Sequence, residues 1–239
     1  MTVLEAHEIR KVFGAGEAAT VVLRGVSAKV ETGEFVALVG PSGSGKSTFL
    51  SIAGTLLTPT SGELRIASEN ALGLREKALA SMRNRHLGFV FQFHHLLEEF
   101  TALENVTMPV YGTLRHIDAA SRKRAEDLLA RVGLSHRSSF RTAQLSGGQK
   151  QRVAVARAVI MKPGLVLADE PTGNLDRENS DQLMALLREL SRDEGTAFLI
   201  STHDPSIADR CDRTLSLDDG VLVEREAPAL PRFLKEPEP

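Results

Sequence analysis

Residues 35–48 read Phe-Val-Ala-Leu-Val-Gly-Pro-Ser-Gly-Ser-Gly-Lys-Ser-Thr, an apolar run followed by a glycine-rich loop. The run Phe35–Val39 is short and continuous, which is typical of a strand buried on both faces of a sheet. A helix is predicted over Thr48–Ala53, after the loop. The loop matches the pattern G-x-x-x-x-G-K-[ST], which needs a strand before it and a helix after it. Its members are Gly40, Pro41, Ser42, Gly43, Ser44, Gly45, Lys46 and Ser47, with Thr48 directly after them.

The chemistry of this loop follows from its residue types. Glycines let the backbone turn so that consecutive N–H groups point at phosphate oxygens, and the following helix adds its positive N-terminal end. Lys46 is expected to reach the β- and γ-phosphates, and the Ser47 hydroxyl is expected to ligate Mg²⁺. The alternative is an ordinary glycine-rich turn, but a chance match in a chain of this length is roughly a 1% event. The loop therefore predicts a site for a nucleoside triphosphate and Mg²⁺.

Two further apolar runs predict the rest of the sheet. Leu165–Ala168 and Ala197–Ile200 have the same appearance as Phe35–Val39, and a helical pattern over Asn179–Arg192 lies between them. Buried strands that alternate with helices indicate an α/β fold with a mostly parallel core sheet. Together with the phosphate-binding loop, this predicts the P-loop NTPase class.

Other parts of the chain predict additions to this core. Val3–Val12 and Val21–Val30 are rich in valine with partial alternation, which favours an antiparallel strand pair. Residues of about 75–143 are rich in arginine and lysine and predict a helical insertion. We expect one domain over residues 4–226. Residues 227–239 carry several prolines among charges and predict a poorly ordered tail.

The composition is that of an ordinary globular chain, since 42% of the 239 residues are hydrophobic and 25% are charged. A formal net charge of −2 gives no overall field to attract nucleic acid, so no nucleic-acid partner is expected. Cys211 is the only cysteine, which excludes an internal disulfide and fits a reducing compartment. No segment approaches the roughly 18 consecutive apolar residues of a membrane helix. We expect a cytoplasmic protein that works at a membrane only with the help of a partner.

An acidic pair ends the strand predicted over Leu165–Ala168. Asp169 at a strand terminus suits Mg²⁺ coordination, directly or through water. Glu170 is placed to polarise a water molecule for in-line attack on a γ-phosphate. Such a pair is more often a solvated turn, but the phosphate-binding loop favours the catalytic interpretation.

The segment Leu145–Gln149 reads Leu-Ser-Gly-Gly-Gln and precedes strong helix formers. Ser146 is therefore predicted near a helix N-cap, with Gly147 and Gly148 exposing the first amides beside Gln149. This can form a second anion cradle or be an ordinary capped helix. One γ-phosphate rarely needs two cradles in one monomer, whereas two chains placed head to tail could enclose ATP with one cradle from each.

These motifs together resemble the ABC ATPase family, and the resemblance extends from about Leu4 to Glu224. The family's order is completed by Gln92 after the strand Leu87–Phe91, by Asp176 in Asn-Leu-Asp, and by His203 in Ser-Thr-His-Asp. The resemblance implies the ABC-type fold and ATP hydrolysis coupled to transport.

The resemblance also implies roles for single residues. Gln92 contacts Mg²⁺ and senses the membrane partner, and Asp176 lines the interface between two copies. His203 holds the γ-phosphate and orients Glu170 and water. Phe13 matches the aromatic residue that stacks on adenine, although a core phenylalanine explains it nearly as well.

Residues 91–109, with Phe-Gln-Phe-His-His-Leu-Leu at their start, are similar to the ATPases of lipoprotein-releasing systems of Gram-negative bacteria. Macrolide-type exporters and cell-division ATPases share most of these segments and remain alternatives. Gln149-Lys150 departs from the Glu-Arg of many lipoprotein releasers. The resemblance implies integral membrane permease subunits as partners, docked at Gln92–Pro109, and a peripheral place on the cytoplasmic face of the inner membrane. It implies no direct contact with cargo.

A different class of function is a DNA-repair or chromosome ATPase with the same core. Such chains usually carry long coiled-coil or zinc-bearing insertions, and neither fits 239 residues with one cysteine. A simple P-loop kinase is disfavoured by the segment Ser146–Gln149.

Overall fold

The computed structural model describes residues 1–225, and a mostly parallel sheet lies at the centre of the fold. The helices are α1 Lys46–Ala53, α2 Glu76–His86, α3 Ala102–Leu114, α4 Ala119–Arg131, α5 Gly147–Val159, α6 Arg177–Glu194 and α7 Pro205–Ala208. The strands are β1 Thr2–Phe13, β2 Thr20–Glu31, β3 Phe35–Val39, β4 Ser61–Ile66, β5 Glu69–Asn70, β6 Leu87–Phe91, β7 Leu165–Asp169, β8 Ala197–Ser201, β9 Arg213–Asp218 and β10 Val221–Arg225.

The central sheet has six strands in the order β10-β9-β3-β8-β7-β6. All neighbouring pairs are parallel except β9 and β10, which form an antiparallel hairpin at one edge. The residues of β3, β7 and β8 are almost all buried, because helices cover one face of the sheet and α1 together with a second sheet covers the other. The predicted α/β fold with a mostly parallel sheet is confirmed. Since parallel strands point the same way, the carboxyl ends of β3, β7 and β8 meet at one edge.

The predicted antiparallel pair is present and belongs to a second sheet of order β2-β1-β4-β5. Its apolar face supplies Leu4, Ile9 and Leu23 to a core cluster shared with Phe49 and Ile52 of α1. Burial of these large side chains fixes α1, and with it the glycine-rich loop, against both sheets.

The helices α3, α4, α5 and α6 form the other core cluster. The range of about 75–143, predicted as a helical insertion, also holds the strand predicted over Leu87–Phe91, which is present as β6 and pairs with β7 in the central sheet. The apolar run Leu87–Phe91 satisfies its backbone groups there, so the separate helical layer begins only at α3. Residues 227–239, the predicted tail, lie outside the described residues. No helix among residues 1–225 is long and apolar enough to cross a membrane.

Candidate functional site

The glycine-rich loop connects β3 to α1 and requires glycine at two close approaches. A Cβ on Gly40 would lie 2.0 Å from the carbonyl oxygen of Leu217. Gly45 has a φ of 105°, and a Cβ there would lie 2.8 Å from Leu23 Cδ2. Both positions exclude side chains, so the loop can pass tightly over the sheet edge and begin α1 at Lys46.

Two polar side chains inside the loop fit a bound anion. Lys46 Nζ donates hydrogen bonds to the carbonyl oxygens of Gly40 at 2.8 Å and Pro41 at 3.0 Å. The Ser44 hydroxyl is buried and has no hydrogen-bond partner among the described residues. An unpaired buried hydroxyl is costly, and an anion's oxygen in the loop would satisfy it. The loop therefore has both the charge and the free donor that a phosphate group needs.

The loop forms one wall of an open cavity of about 430 Å³. The opposite wall is formed by Glu170 and His203, which follow β7 and β8. The structure thus brings together most of the predicted residues of the loop and the predicted catalytic pair. The remaining lining residues are Val22, Ser42, Gly43, Gly45, Lys46, Ser47 and Thr48.

Phe13 lies at the end of β1 and is 43% exposed, so the alternative of a core phenylalanine is wrong. It is not among the residues that line the cavity. Lys11 Nζ lies 4.9 Å from the centroid of its ring, a cation–π distance. The stacking of Phe13 on adenine stays a prediction.

The carboxylate of Asp169 faces the glycine-rich loop. Ser47 Oγ donates to Asp169 Oδ1 at 3.3 Å, and Ser201 Oγ donates to the same oxygen at 2.5 Å. Ser47 on α1 and Asp169 on β7, two of the residues predicted to bind Mg²⁺, are therefore in direct contact.

Glu170 and His203 form a pair beside the loop. Glu170 Oε2 lies 3.0 Å from His203 Nδ1, and the side-chain exposures are 24% and 69%. Glu170 has a φ of 44°, which is strained for a residue with a side chain. Its N–H donates to the carbonyl oxygen of Ser201 at 3.2 Å. A carboxylate held in this way by a histidine can accept a proton from water.

Gln92, directly after β6, lies next to the Glu170 turn. Asn174 Nδ2 donates to the Gln92 carbonyl oxygen at 3.1 Å. A Cβ on Gly173 would lie 3.0 Å from Gln92 Nε2 and 3.3 Å from Glu170 Oε2. The side chains of Gln92, predicted to contact Mg²⁺, and of Glu170, the predicted base, therefore both lie beside Gly173.

Asp176 caps the N-terminus of α6. Its carboxylate accepts from Asn179 N at 2.8 Å and from Asn179 Nδ2 at 2.7 Å. The hydrogen bond from the Asn179 backbone lowers the pKa of Asp176, with a smaller contribution from the Asn179 side chain. Its predicted place at an interface between copies stays a prediction.

Ser146 is the N-cap of α5, as predicted. Gln149 N donates to Ser146 Oγ at 3.4 Å, and Ser146 N donates to Gln149 Oε1 at 3.1 Å, which is a capping box. The segment 146–149 does not line the cavity of the glycine-rich loop. Gly147 has open space around it, because no atom lies within 4 Å of a Cβ built there.

The family model described as "ABC transporter" matches residues 23–173, a range that includes the glycine-rich loop, Ser146–Gln149 and Glu170. The chain belongs to the ABC transporter family. Membership identifies an ABC-type ATPase in which ATP hydrolysis is coupled to transport, as the sequence predicted.

Two curated relatives and one solved structure are similar to this ABC ATPase. It is 56% identical to lipoprotein-releasing system ATP-binding protein LolD 1 of Caulobacter vibrioides, over 92% of this chain and 94% of that protein. It is 52% identical to the protein named LolD of Pseudomonas syringae pv. tomato, over 93% and 97%. The ATP-binding cassette MJ0796, solved as a dimer in a post-hydrolysis state with ADP and Pi, gives a TM-score of 0.86 at 37% identity and covers 96% and 100%.

The structure of the ABC ATPase adds two positioning residues that the sequence did not suggest, Ser201 and Gln151. Ser201 contacts both acidic residues at the end of β7, Asp169 and Glu170. On α5, Gln151 is buried and its Nε2 donates to the Pro171 carbonyl oxygen at 2.7 Å. The only sequence signal for them was a polar residue inside an otherwise apolar strand or helix face.

Arg157, also on α5, holds the backbone of the adjacent histidines. Its guanidinium donates to the carbonyl oxygens of His95 at 2.6 Å and His94 at 2.7 Å. Both histidines have positive φ, 63° for His94 and 46° for His95. Burial lowers the pKa of the Arg157 side chain. One arginine thus stabilises a strained turn that follows Gln92.

Proposed function

We propose that this ABC ATPase is the motor of a lipoprotein-releasing system, in which it powers a membrane permease. The observation that carries the ATPase part is the Glu170–His203 pair, 3.0 Å apart, on the wall opposite the glycine-rich loop. The cargo class rests on the relatives, since curated proteins 52–56% identical over more than nine-tenths of the chain are named for lipoprotein release.

The loop binds the phosphates of ATP in this proposal. Lys46 already points its ammonium into the loop, and the amides after Ser44, at the start of α1, supply the remaining donors. The free Ser44 hydroxyl adds one more. These groups counter negative charge on the β- and γ-phosphates, which is the main requirement of phosphoryl transfer.

Mg²⁺ fits the oxygen donors at the other side of the loop. The residues that would hold it are Ser47, Asp169 and Gln92, and when bound it would neutralise charge on the phosphate oxygens. The described residues contain no group of three His, Cys, Asp or Glu side chains that could hold a metal ion by themselves. A cation shared between two or three side chains and the phosphates is the usual arrangement for Mg²⁺ in nucleotide sites.

Glu170 acts as the general base and His203 positions it. The carboxylate accepts the proton of a water molecule as that water attacks the γ-phosphate. His203 fixes the carboxylate by its contact with Oε2 and is exposed enough to reach the terminal phosphate. The phosphate–oxygen bond to the leaving ADP breaks as the bond to water forms, so the products are ADP and inorganic phosphate.

Each ATP is enclosed by two copies placed head to tail. Ser146–Gln149 lies outside the cavity of its own chain, and Gly147 is exposed at the N-terminus of α5 with open space beside its Cα. The Ser146 segment of the second copy would therefore complete the site, with Asp176 at the interface. The dimeric state of the similar cassette MJ0796 supports this arrangement.

The permease docks beside Gln92–Pro109, where Phe93, Leu97 and Phe100 are exposed. A cavity of about 480 Å³ lies between α2, α3 and β6, and Leu56, Phe89, Met108 and Pro109 are among its lining residues. Phe93 is 72% exposed beside it. An amphipathic helix from the permease matches such a groove. Docking here would hold the ATPase peripherally on the cytoplasmic face of the inner membrane, with no contact to cargo.

The proposal is tested by purifying the ATPase with the membrane protein that accompanies it and reconstituting both in lipid vesicles that contain a labelled lipoprotein. We expect ATP-dependent transfer of the lipoprotein to a soluble acceptor, and no transfer with Glu170→Gln. If the wild-type complex hydrolyses ATP but the lipoprotein stays in the vesicles, the proposed cargo class is wrong. Failure to hydrolyse ATP would overturn the whole proposal.

A further inference from the structure

Ser201 is the last residue of β8 and contacts the Asp169 carboxylate and the Glu170 backbone. Its side chain is fully buried, at 0% exposure. The hydroxyl donates to Asp169 Oδ1 at 2.5 Å and accepts the Glu170 backbone N–H at 3.0 Å. A hydroxyl has one donor and two acceptor positions, so it can make both bonds at once. One side chain therefore contacts both consecutive acidic residues.

The sheet fixes the position of this hydroxyl. Ser201 is the register partner of Asp169 on β7 and of Leu38 on β3, so strands flank it on both sides. The next residue continues the attachment, because Thr202 N donates to the Leu38 carbonyl oxygen at 3.1 Å. The donor to Asp169 is thus mounted on the central sheet and not on a loop.

Each of the two bonds addresses a different requirement of the site. Asp169 Oδ1 also accepts from Ser47 Oγ at 3.3 Å, so the Ser201 bond holds this carboxylate turned towards the glycine-rich loop. Glu170 has a positive φ, and its N–H is shared between the carbonyl oxygen and the hydroxyl of Ser201. The hydroxyl therefore also supports the strained turn that places the Glu170 side chain in the cavity.

We propose that Ser201 is a positioning residue for hydrolysis of MgATP, and this inference rests on the proposed function. It aligns Asp169 with Ser47 for the cation and holds the backbone of the base. Ser201 itself touches neither nucleotide nor attacking water. A serine that only stabilised the end of the sheet would affect thermal stability and leave the Mg²⁺ dependence unchanged.

The test compares Ser201→Thr with Ser201→Val, which have nearly the same shape and differ in the hydroxyl. Any strain from the added methyl group affects both variants equally. Binding of a fluorescent ATP analogue is measured in EDTA and across a Mg²⁺ titration, together with kcat and KM. We expect Ser201→Val to need about 10-fold more Mg²⁺ than Ser201→Thr for half-maximal enhancement of binding, with a similar fall in kcat. Binding in EDTA should be equal in the two variants.

If the two variants depend equally on Mg²⁺ and the wild-type protein hydrolyses ATP, the role of Ser201 is wrong and the proposed function stands. A wild-type protein that does not bind or hydrolyse MgATP would overturn the proposed function itself. If the valine variant fails to fold, Ser201→Ala removes the hydroxyl without added volume. A wild-type Mg²⁺ dependence in Ser201→Ala would also overturn the inference.

Discussion

His203 Nδ1 lies 3.0 Å from Glu170 Oε2, so the residue after Thr202 contacts the carboxylate that follows β7. The two side chains come from neighbouring strands of the central sheet, and their loops leave it at the same edge. The contact leaves the more exposed histidine at the mouth of the cavity and the less exposed carboxylate inside it. In the proposed mechanism, proton acceptance by Glu170 and access to the phosphate by His203 are thereby divided between two residues.

Glu170→Gln is expected to lower the turnover of ATP at least about 100-fold, because an amide cannot accept the proton of the attacking water. ATP binding should persist, since Lys46 and the loop amides are untouched. Phosphate release measures turnover, and size-exclusion chromatography with ATP should show an accumulated dimer. Glu178→Gln, the same chemical change on an exposed residue of α6, is the control. Wild-type turnover in Glu170→Gln would remove Glu170 as the base.

Phe13→Ala is expected to weaken binding of ATP roughly tenfold, because base–aromatic stacking contributes about 1–3 kcal/mol. Phe13 is exposed, so its loss should leave the free energy of unfolding nearly unchanged. The control is Phe93→Ala, which removes another exposed ring outside the lining of the cavity. Nucleotide titration by fluorescence gives both affinities. Equal affinities for the two variants would exclude stacking by Phe13.

Arg157→Lys should reduce stimulation of ATP hydrolysis by the permease more than basal hydrolysis. Lysine carries a single ammonium group and cannot reproduce the fork that holds the His94 and His95 carbonyl oxygens. We expect the free energy of unfolding to fall by about 1–3 kcal/mol in a urea titration. Turnover is measured with and without the permease.

The control for this variant is Arg152→Lys, on the same helix. Arg152 donates to the Val132 carbonyl oxygen and to Gln182 Oε1, away from the histidine turn. Equal stimulation in the two lysine variants would contradict a role for Arg157 at the docking surface.

Asp118→Asn is expected to flatten the pH dependence of stability in the acid range. Asp118 caps α4, and the hydrogen bond from Ser121 N lowers its pKa below the ordinary value of 3.8. A lowered pKa in the folded state means stability that is present above pH 3.8 and lost as the pH falls through the folded value. Asparagine keeps an acceptor for Ser121 N but does not titrate. Urea titrations at pH 7 and pH 3 test this, and an unchanged difference between them would contradict it.

The sequence was sufficient for the phosphate side of the site, because its signals are local. The strand Phe35–Val39, the loop after it and the capped helix at Ser146 all lie within short segments whose residue types dictate the backbone. The same holds for the predicted pair β1 and β2. For residues 75–143 the sequence indicated both a helical insertion and the strand Leu87–Phe91, but the place of that strand in the central sheet follows only from its pairing with β7.

The role of Ser201 depends on register and could not be predicted in this way. Its contact with Asp169 exists because β7 and β8 align those residues, and no local pattern specifies that alignment. Arg157 is similar, since its acceptors are backbone carbonyl oxygens of a strained turn 62 and 63 positions away. Side-chain types do not reveal which carbonyl oxygens a folded turn exposes.

Helix α5 connects the Ser146 segment with the turn of His94 and His95. It is 13 residues long, or about 20 Å, and its hydrogen bonds make it behave as a stiff rod. Gln151 of this helix holds Pro171, and Arg157 near its far end holds the histidine turn. In the proposed dimer, the first end presents Ser146 to the second copy. A nucleotide that contacts the Ser146 end of α5 would therefore contact the same helix that holds the turn of His94 and His95. In the proposed assembly, ATP bound to one copy would therefore act on the permease through helix α5 of the other copy.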